Sequence, residues 1–224
     1  MKKIFLSACV AALLLFNISA ASAITYTGSL SSSDGIYGTA DWASGASLSW
    51  SVTNEYNKGS VGKWAYTYTW TASRKGLSHI IIELSPDVKN QVYVTAASGT
   101  KWQIKEWFDQ GNSNPGIPGP LWGVKVDTPS GDWVTFAFTL ISDRAPVWGD
   151  FYAKDGVSGE GKDKLDVYAY NQGFLDPDPT DAPGNGSIRY HILRPDTVGV
   201  PEPMTMILLG VGLLGLGAAT RRKS

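Results

Sequence analysis

Three aspartates stand close together in the proline-rich stretch of residues 175–186. Asp176, Asp178 and Asp181 carry carboxylates that can converge on one cation, and Ca²⁺ takes several oxygen ligands from a turning loop. The spacing differs from that of an EF-hand loop, and prolines at 177 and 179 keep the first two aspartates extended. Two interpretations therefore stay open, a structural calcium site and a solvated acidic loop.

Patterns for catalysis are weaker. Glycoside hydrolysis needs two carboxylates across a cleft, and Glu83 lies in an apolar run in phase with His79 and Ile81. Its carboxylate can be catalytic or can pair with a Lys or Arg of the next strand, and no second acid is identifiable. His79 and His191 alone are fewer than the three ligands usual for zinc, and nucleophile-elbow, Walker and dinucleotide-binding patterns are absent. The sequence predicts a protein that is not an enzyme.

Two tryptophans flank the Gly/Pro-rich loop of residues 110–120. The flat indoles of Trp102 and Trp107 can stack on the apolar face of a sugar ring, because an aromatic side chain offers a broad apolar surface. In the other interpretation both rings anchor the loop onto the fold. We predict a carbohydrate contact at this pair.

The elements that must position these residues are strands. Trp64, Tyr66, Tyr68 and Trp70 fall in one phase and small or hydroxyl-bearing residues in the other, which is the period of a β-strand. Further strands are predicted at residues 47–52, 79–84, 91–95, 122–127, 134–140, 147–153, 165–170 and 188–193. Residues 101–109 are compatible with one short helix. Many short strands separated by turn signals predict an all-β fold, a single β-sandwich of which a jelly roll is one version.

The N-terminal segment has the pattern of a signal peptide. Lys2 and Lys3 precede an apolar run, and Ala21-Ser22-Ala23 forms an A-x-A cleavage site for signal peptidase. The only cysteine, Cys9, lies within this segment, with too few apolar residues before it for a lipoprotein signal. The mature domain, predicted to begin at residue 24, therefore contains no disulfide.

The charge of the mature domain argues against nucleic acid as a partner. The two predicted processing segments contain five of the 19 Lys and Arg but only one of the 20 Asp and Glu. The domain between them is consequently acidic, whereas nucleic-acid-binding domains are basic.

The C-terminal segment combines three features. Pro201-Glu202-Pro203 precedes an apolar run at residues 204–220, and Arg221-Arg222-Lys223 follows it. As a helix the run would be roughly 25 Å long, barely enough for a hydrocarbon core of about 30 Å. The basic cluster would remain cytoplasmic and leave the preceding domain outside. By length, hydropathy and charge alone, the segment fits an ordinary single-span membrane anchor.

In order and type, these three parts resemble the PEP-CTERM sorting signal of Gram-negative bacteria that make exopolysaccharide. The resemblance covers residues 200–224 and includes Pro201, Glu202, Pro203, Arg221 and Arg222. It implies a precursor held in the inner membrane by the transmembrane helix 204–220 and recognised by the membrane protease exosortase. It further implies cleavage near Pro201–Pro203 and delivery to the cell surface or extracellular matrix.

The predicted organisation is a signal peptide at residues 1–23, a β-sandwich ectodomain at 24–194, a linker at 195–200 and the sorting signal at 201–224. The predicted function is that of a non-catalytic surface or matrix protein associated with exopolysaccharide in a biofilm. No cofactor is expected apart from the calcium considered above. A polysaccharide-modifying enzyme and a self-associating surface adhesin are the alternatives.

Overall fold

The computed structural model describes residues 23–55, 64–88, 92–111 and 113–196. The predicted signal peptide, apart from Ala23, and the predicted sorting signal lie outside the described residues. The described part contains thirteen strands and two single-turn 3₁₀ helices, Ala40–Trp42 and Pro86–Val88. The strands are β1 (Thr25–Ser31), β2 (Ile36–Gly38), β3 (Ala46–Thr53), β4 (Trp64–Ala72), β5 (His79–Glu83), β6 (Val92–Ala96), β7 (Lys101–Trp107), β8 (Leu121–Asp127), β9 (Thr135–Ser142), β10 (Pro146–Gly149), β11 (Phe151–Ser158), β12 (Leu165–Asn171) and β13 (Ile192–Pro195).

Two large antiparallel sheets face each other. The five-stranded sheet has the order β1-β3-β4-β9-β6, and the six-stranded sheet has the order β2-β12-β11-β5-β8-β7. One cluster of buried side chains draws on both sheets, which makes the fold a β-sandwich. The all-β prediction is confirmed. Among the described residues, no helix is long and apolar enough to cross a membrane.

The alternation in β4 explains how the core is filled. Tyr66, Tyr68 and Trp70 are fully buried, whereas Thr67, Thr69 and Thr71 between them are partly or fully exposed. The tyrosine hydroxyls reach across the core, where Tyr68 donates to the carbonyl of Leu193 at 2.8 Å. The aromatic face predicted from the sequence therefore points inward, and it connects β4 to β13, which pairs with β10 in a separate two-stranded sheet.

A smaller apolar cluster covers the outer face of the six-stranded sheet. Ile80 and Ile82 of β5 face the main core, whereas Ile81 packs with Tyr152 and Trp107 on the other side. The loop after β7 lies over this second cluster, because Ile117 belongs to it and Tyr152 donates to the carbonyl of Pro115 at 2.8 Å. Both faces of β5 are thus buried, which explains its continuous apolar run.

The strands β10 and β11 are separated by one residue, Asp150. Before it, β10 pairs with β13; after it, β11 pairs with β5 and β12. At the change of partner, the Glu83 amide donates to the Asp150 carbonyl at 3.0 Å and the Asp150 amide donates to Glu83 Oε2 at 2.8 Å. The backbone of Asp150 is therefore satisfied by Glu83 alone at this junction.

Three local expectations differ from the structure. Residues 101–107 form strand β7 instead of the short helix, since they pair with β8 along their whole length. The continuous strand expected at 147–153 is divided at Asp150, and the strands β1 and β2 were not predicted. Strand β13 includes Pro195, the first residue of the predicted linker, while the boundary with the sorting signal lies outside the described residues and stays a prediction.

Candidate functional site

The densest group of polar side chains lies where β10, β11 and β13 meet the end of β5. We call it the Arg194 cluster. Its members are Glu83, Asp150, Asn171, Asp178, His191, Arg194 and Asp196. Most of these side chains are buried, although the cluster contains four carboxyl groups. Buried charges are costly unless they are paired, so their pairing determines what the site can do.

The Arg194 guanidinium is the centre of the cluster. Its Nη2 lies 3.1 Å from Glu83 Oε1 and 2.8 Å from Asp178 Oδ2. Its Nη1 lies 2.7 Å from Asp196 Oδ2. Only 5% of the Arg194 side chain is exposed. Asp196 Oδ1 also accepts a hydrogen bond from the hydroxyl of Ser85. One planar cation thus joins β13, the end of β5 and the loop that carries Asp178.

The carboxylate of Asp150 is held by side chains of the neighbouring strand. Asn171 Nδ2 donates to Asp150 Oδ1 at 2.6 Å, and the Phe151 amide donates to Asn171 Oδ1 at 2.9 Å. Asn171 is fully buried and has both ends of its amide occupied. It therefore fixes the direction in which the Asp150 carboxylate points.

Burial changes the acidity of these groups. Desolvation raises the pKa of Glu83 to about 7, although the nearby guanidinium of Arg194 opposes the change. Desolvation likewise raises the pKa of Asp150 to about 8, with the Asn171 hydrogen bond opposing it. For Arg194, burial alone would lower the pKa, but the carboxylates of Glu83 and Asp196 outweigh burial and raise it. Arg194 therefore stays charged, the Asp150 carboxyl favours its protonated form at neutral pH, and Glu83 changes its protonation state near neutral pH.

Two glycines make room for the cluster. A Cβ atom at Gly149 would lie 1.9 Å from Arg194 Nε and 2.7 Å from Glu83 Oε2. At Gly173 a Cβ atom would lie 2.3 Å from the carbonyl oxygen of Arg189 and 2.7 Å from Cε1 of His191. Both positions require glycine because the Arg194 and His191 side chains lie directly against the backbone.

His191 brings a ring nitrogen to two of the carboxylates. Its Nε2 lies 3.5 Å from Asp150 Oδ1 and 3.8 Å from Asp178 Oδ1. These three ligand atoms lie within 4.8 Å of one another, and no other group of three such side chains occurs among the described residues. Sequence reasoning missed this grouping, because the three residues are far apart in the chain and only the fold brings them together.

The three aspartates of the predicted calcium loop have different surroundings. Asp178 pairs with Arg194 and approaches His191, whereas Asp176 and Asp181 are exposed and do not belong to the cluster. The structure does not bring the three carboxylates together. A calcium ion bound by Asp176, Asp178 and Asp181 stays a prediction.

The two tryptophans considered for sugar binding also differ. Trp102 is 45% exposed on the edge strand β7. Trp107 is only 6% exposed; its Nε1 donates to the Gly123 carbonyl at 2.9 Å, and the ammonium groups of Lys105 and Lys125 lie 4.4 and 5.0 Å from the ring centroid. Trp107 anchors the outer cluster, so only Trp102 of this pair is accessible. Contact with sugar stays a prediction.

His79 lies apart from the Arg194 cluster. Its Nε2 lies 3.0 Å from Asn114 Oδ1, below the loop that follows β7. Burial lowers the pKa of His79 to about 3, and the positive charges of Lys125 and Lys154 lower it further. The ring is therefore neutral under ordinary conditions, and it supports the loop through Asn114.

Comparison with known proteins identifies the end of the chain. Residues 199–223 match the family model of the PEP-CTERM protein-sorting motif. The chain carries a PEP-CTERM sorting signal. No curated protein and no solved structure matched the chain significantly. The motif indicates an exported protein that is targeted to exosortase, and it implies membrane-anchored sorting.

Proposed function

We propose that this PEP-CTERM protein is a non-catalytic component of the surface or extracellular matrix of a Gram-negative bacterium, where it associates with exopolysaccharide in the biofilm. The sorting motif at residues 199–223 carries the proposal. Its resemblance to the sorting signal of bacteria that make exopolysaccharide supports an association with such a polymer. Exosortase recognises the tail in the inner membrane and removes it, after signal peptidase has removed residues 1–23.

The edge strand β7 offers the surface for the polymer. Trp102 exposes 45% of its surface there, and Glu106, which lies on the same face of the strand, is exposed as well. Gln103 and Lys105 are exposed on the opposite face. Carbohydrate sites combine an apolar platform with a few side chains that hydrogen-bond the sugar hydroxyls. Strand β7 has both kinds of group, which supports a contact with a flexible polysaccharide chain at this edge.

Co-sedimentation with the exopolysaccharide of the host tests the proposal. The exported protein, recovered from its own host, should sediment with the polymer, and Trp102→Ala should weaken binding at least about tenfold, the equivalent of about 1.4 kcal/mol. Tyr37→Ala is the matched control, because Tyr37 is also 45% exposed and lies on the opposite edge strand of the same sheet. Absence of co-sedimentation would reject the function, and a loss in Tyr37→Ala alone would place the contact at the other edge.

A second candidate function is glycan hydrolysis, and one observation favours it. Glu83 and Asp150 lie in the same buried cluster, and burial raises the pKa of Glu83 to about 7 and that of Asp150 to about 8. A carboxyl group that is protonated near neutral pH can act as a general acid. Release of reducing ends from matrix glycans, lost in Glu83→Gln and Asp150→Asn, would support an enzyme; no release from any of them would reject it.

A further inference from the structure

We propose that Asp150, Asp178 and His191 bind one divalent transition-metal ion. The observation that carries the proposal is the buried Nε2 atom of His191, which points at two carboxylate oxygens without a hydrogen-bond partner of its own. The site goes beyond the association with polysaccharide and does not depend on it.

The hydrogen bonding of His191 assigns a lone pair to Nε2. The ring is fully buried, and Nδ1 lies 3.2 Å from the carbonyl oxygen of Ile188. Since a carbonyl can only accept, Nδ1 carries the proton and Nε2 of the neutral ring does not. Metal-binding histidines are commonly held in this way, with the second ring nitrogen donating to a backbone carbonyl.

The lone pair of Nε2 therefore faces two further electron-rich atoms. Asp150 Oδ1 lies at 3.5 Å and Asp178 Oδ1 at 3.8 Å, longer than the 2.7–3.2 Å of a good hydrogen bond. A proton on Nε2 would be poorly shared at these distances. Ligand atoms bound to one ion at about 2.1 Å lie roughly 3.0–3.4 Å apart in octahedral or tetrahedral geometry, so small movements of the carboxylates complete a metal site.

The acidic groups of the cluster also favour the binding of a cation. Within the described part of the chain, the guanidinium of Arg194 contacts three carboxylates, those of Glu83, Asp178 and Asp196, and the Asp150 carboxyl lies beside them. One positive charge faces four acidic groups, most of them buried. A divalent ion would add positive charge beside these acidic groups, in the place where Nε2 has no partner.

The donor set selects the type of ion. Imidazole nitrogen suits zinc and other transition metals, whereas Ca²⁺ and Mg²⁺ prefer oxygen ligands throughout. The outer contacts are in place as well: Arg194 Nη2 holds Asp178 Oδ2 at 2.8 Å, and Asn171 Nδ2 holds Asp150 Oδ1 at 2.6 Å. The Asp178 side chain is 35% exposed, which leaves a path from solvent and room for a water ligand.

The ion would connect three parts of the fold. Asp150 lies between β10 and β11, Asp178 lies in the loop that follows β12, and His191 immediately precedes β13. Binding therefore fixes the long connection between β12 and β13 onto the sheet. It should stabilise the folded state, because the unfolded chain does not hold the three ligands together.

Metal titration of the exported protein tests the proposal. We expect about one equivalent of metal by mass spectrometry of the protein recovered from its host, or uptake of one Zn²⁺ or Co²⁺ after treatment with EDTA. Ion at 100 times its Kd should raise Tm by about 5–10 °C. His191→Gln and Asp178→Asn should bind at least about 100-fold more weakly, whereas the matched controls His79→Gln and Asp181→Asn should bind as the wild type does.

Spectroscopy on the wild type keeps the test independent of folding defects in the variants. The chain has two histidines, so addition of Zn²⁺ should shift the ring resonances of His191 and leave those of His79 in place. No bound metal and no shift with Zn²⁺, Co²⁺ or Mn²⁺ would overturn the proposal. Binding of Ca²⁺ alone, lost in Asp176→Asn and retained in His191→Gln, would also overturn it and would assign an ion to the acidic loop instead.

Discussion

Replacement of Arg194 by Met is the sharpest perturbation of the cluster. Methionine retains much of the apolar stem that lies against Gly149 and removes the guanidinium. Glu83, Asp178 and Asp196 then lose the cation that lies within 3.1 Å of each of them. Removing one partner of a buried ion pair costs about 3–5 kcal/mol, because the remaining charges stay desolvated. For a domain of this size the corresponding fall in Tm is about 6–20 °C.

The assay is urea unfolding of the exported protein at pH 7 in the presence of EDTA, with Arg144→Met as the control. The Arg144 side chain is 13% exposed and its Nη2 lies 3.0 Å from Oδ2 of Asp87, whose side chain is 52% exposed, so we expect a smaller loss than in Arg194→Met. Comparing the two variants separates the burial of the ion pair from the loss of an arginine as such.

A double variant tests the cause of the loss. If Arg194→Met destabilises through uncompensated negative charge, adding Glu83→Gln should restore part of the stability, with a coupling of roughly 1–3 kcal/mol between the two sites. Two results would contradict a role for the buried ion pair in stability. In one, Arg194→Met costs no more than Arg144→Met; in the other, Glu83→Gln adds its own full cost to that of Arg194→Met.

Three further perturbations have defined outcomes. Burial lowers the pKa of His79 from its ordinary value of 6.5 to about 3, so its contribution to stability is complete above pH 6.5 and is lost as pH falls towards 3. Glu83 and Asp150, whose pKa values burial raises, change stability in the opposite direction over this range. In urea unfolding the wild type should therefore lose roughly 3 kcal/mol more than His79→Gln between pH 7 and 4, and an equal pH dependence would contradict this. Gly116→Ala should lower the free energy of unfolding by roughly 1–3 kcal/mol more than Gly111→Ala in the same measurement. Both glycines have positive φ, but an added Cβ atom meets a neighbour only at Gly116, where the Tyr168 ring lies at 2.2 Å. Equal losses in the two variants would contradict this. Alanines at positions 201–203 should prevent cleavage of the sorting signal. Intact-mass measurement should then find residues 201–224 retained, and fractionation should find the protein in the membranes. Normal release of the variant would contradict processing by exosortase.

The sequence predicted those strands best that have one buried face and one exposed face. In β4 the alternation of aromatic and hydroxyl-bearing residues directly reflects the inward and outward sides of the sheet. Strand β7 is an edge strand in which only Ile104 and Trp107 are buried, so its pattern matched a helix as well as a strand until pairing with β8 decided it. Strand β1 is another edge strand, largely exposed and rich in Ser and Thr, and it gave no clear periodicity.

The candidate site was predictable only in fragments. The phase of Glu83 indicated a choice between catalysis and an ion pair with the next strand, and the structure shows a pair with Arg194 of β13, a strand outside that sheet. Asp178 was assigned to an acidic loop, and His191 had no neighbour in the sequence with which to form a site. Long-range pairing between β10 and β13 brings these residues together, and no local pattern encodes it.

Retention of the protein in the matrix is the most direct test of its association with exopolysaccharide. The measurement is the fraction of exported protein that stays with the cell surface and matrix in the polymer-producing host and in an otherwise identical strain that makes no exopolysaccharide. We expect the protein to be retained in the first strain and released to the medium in the second. Equal retention in both strains would contradict association with the polysaccharide.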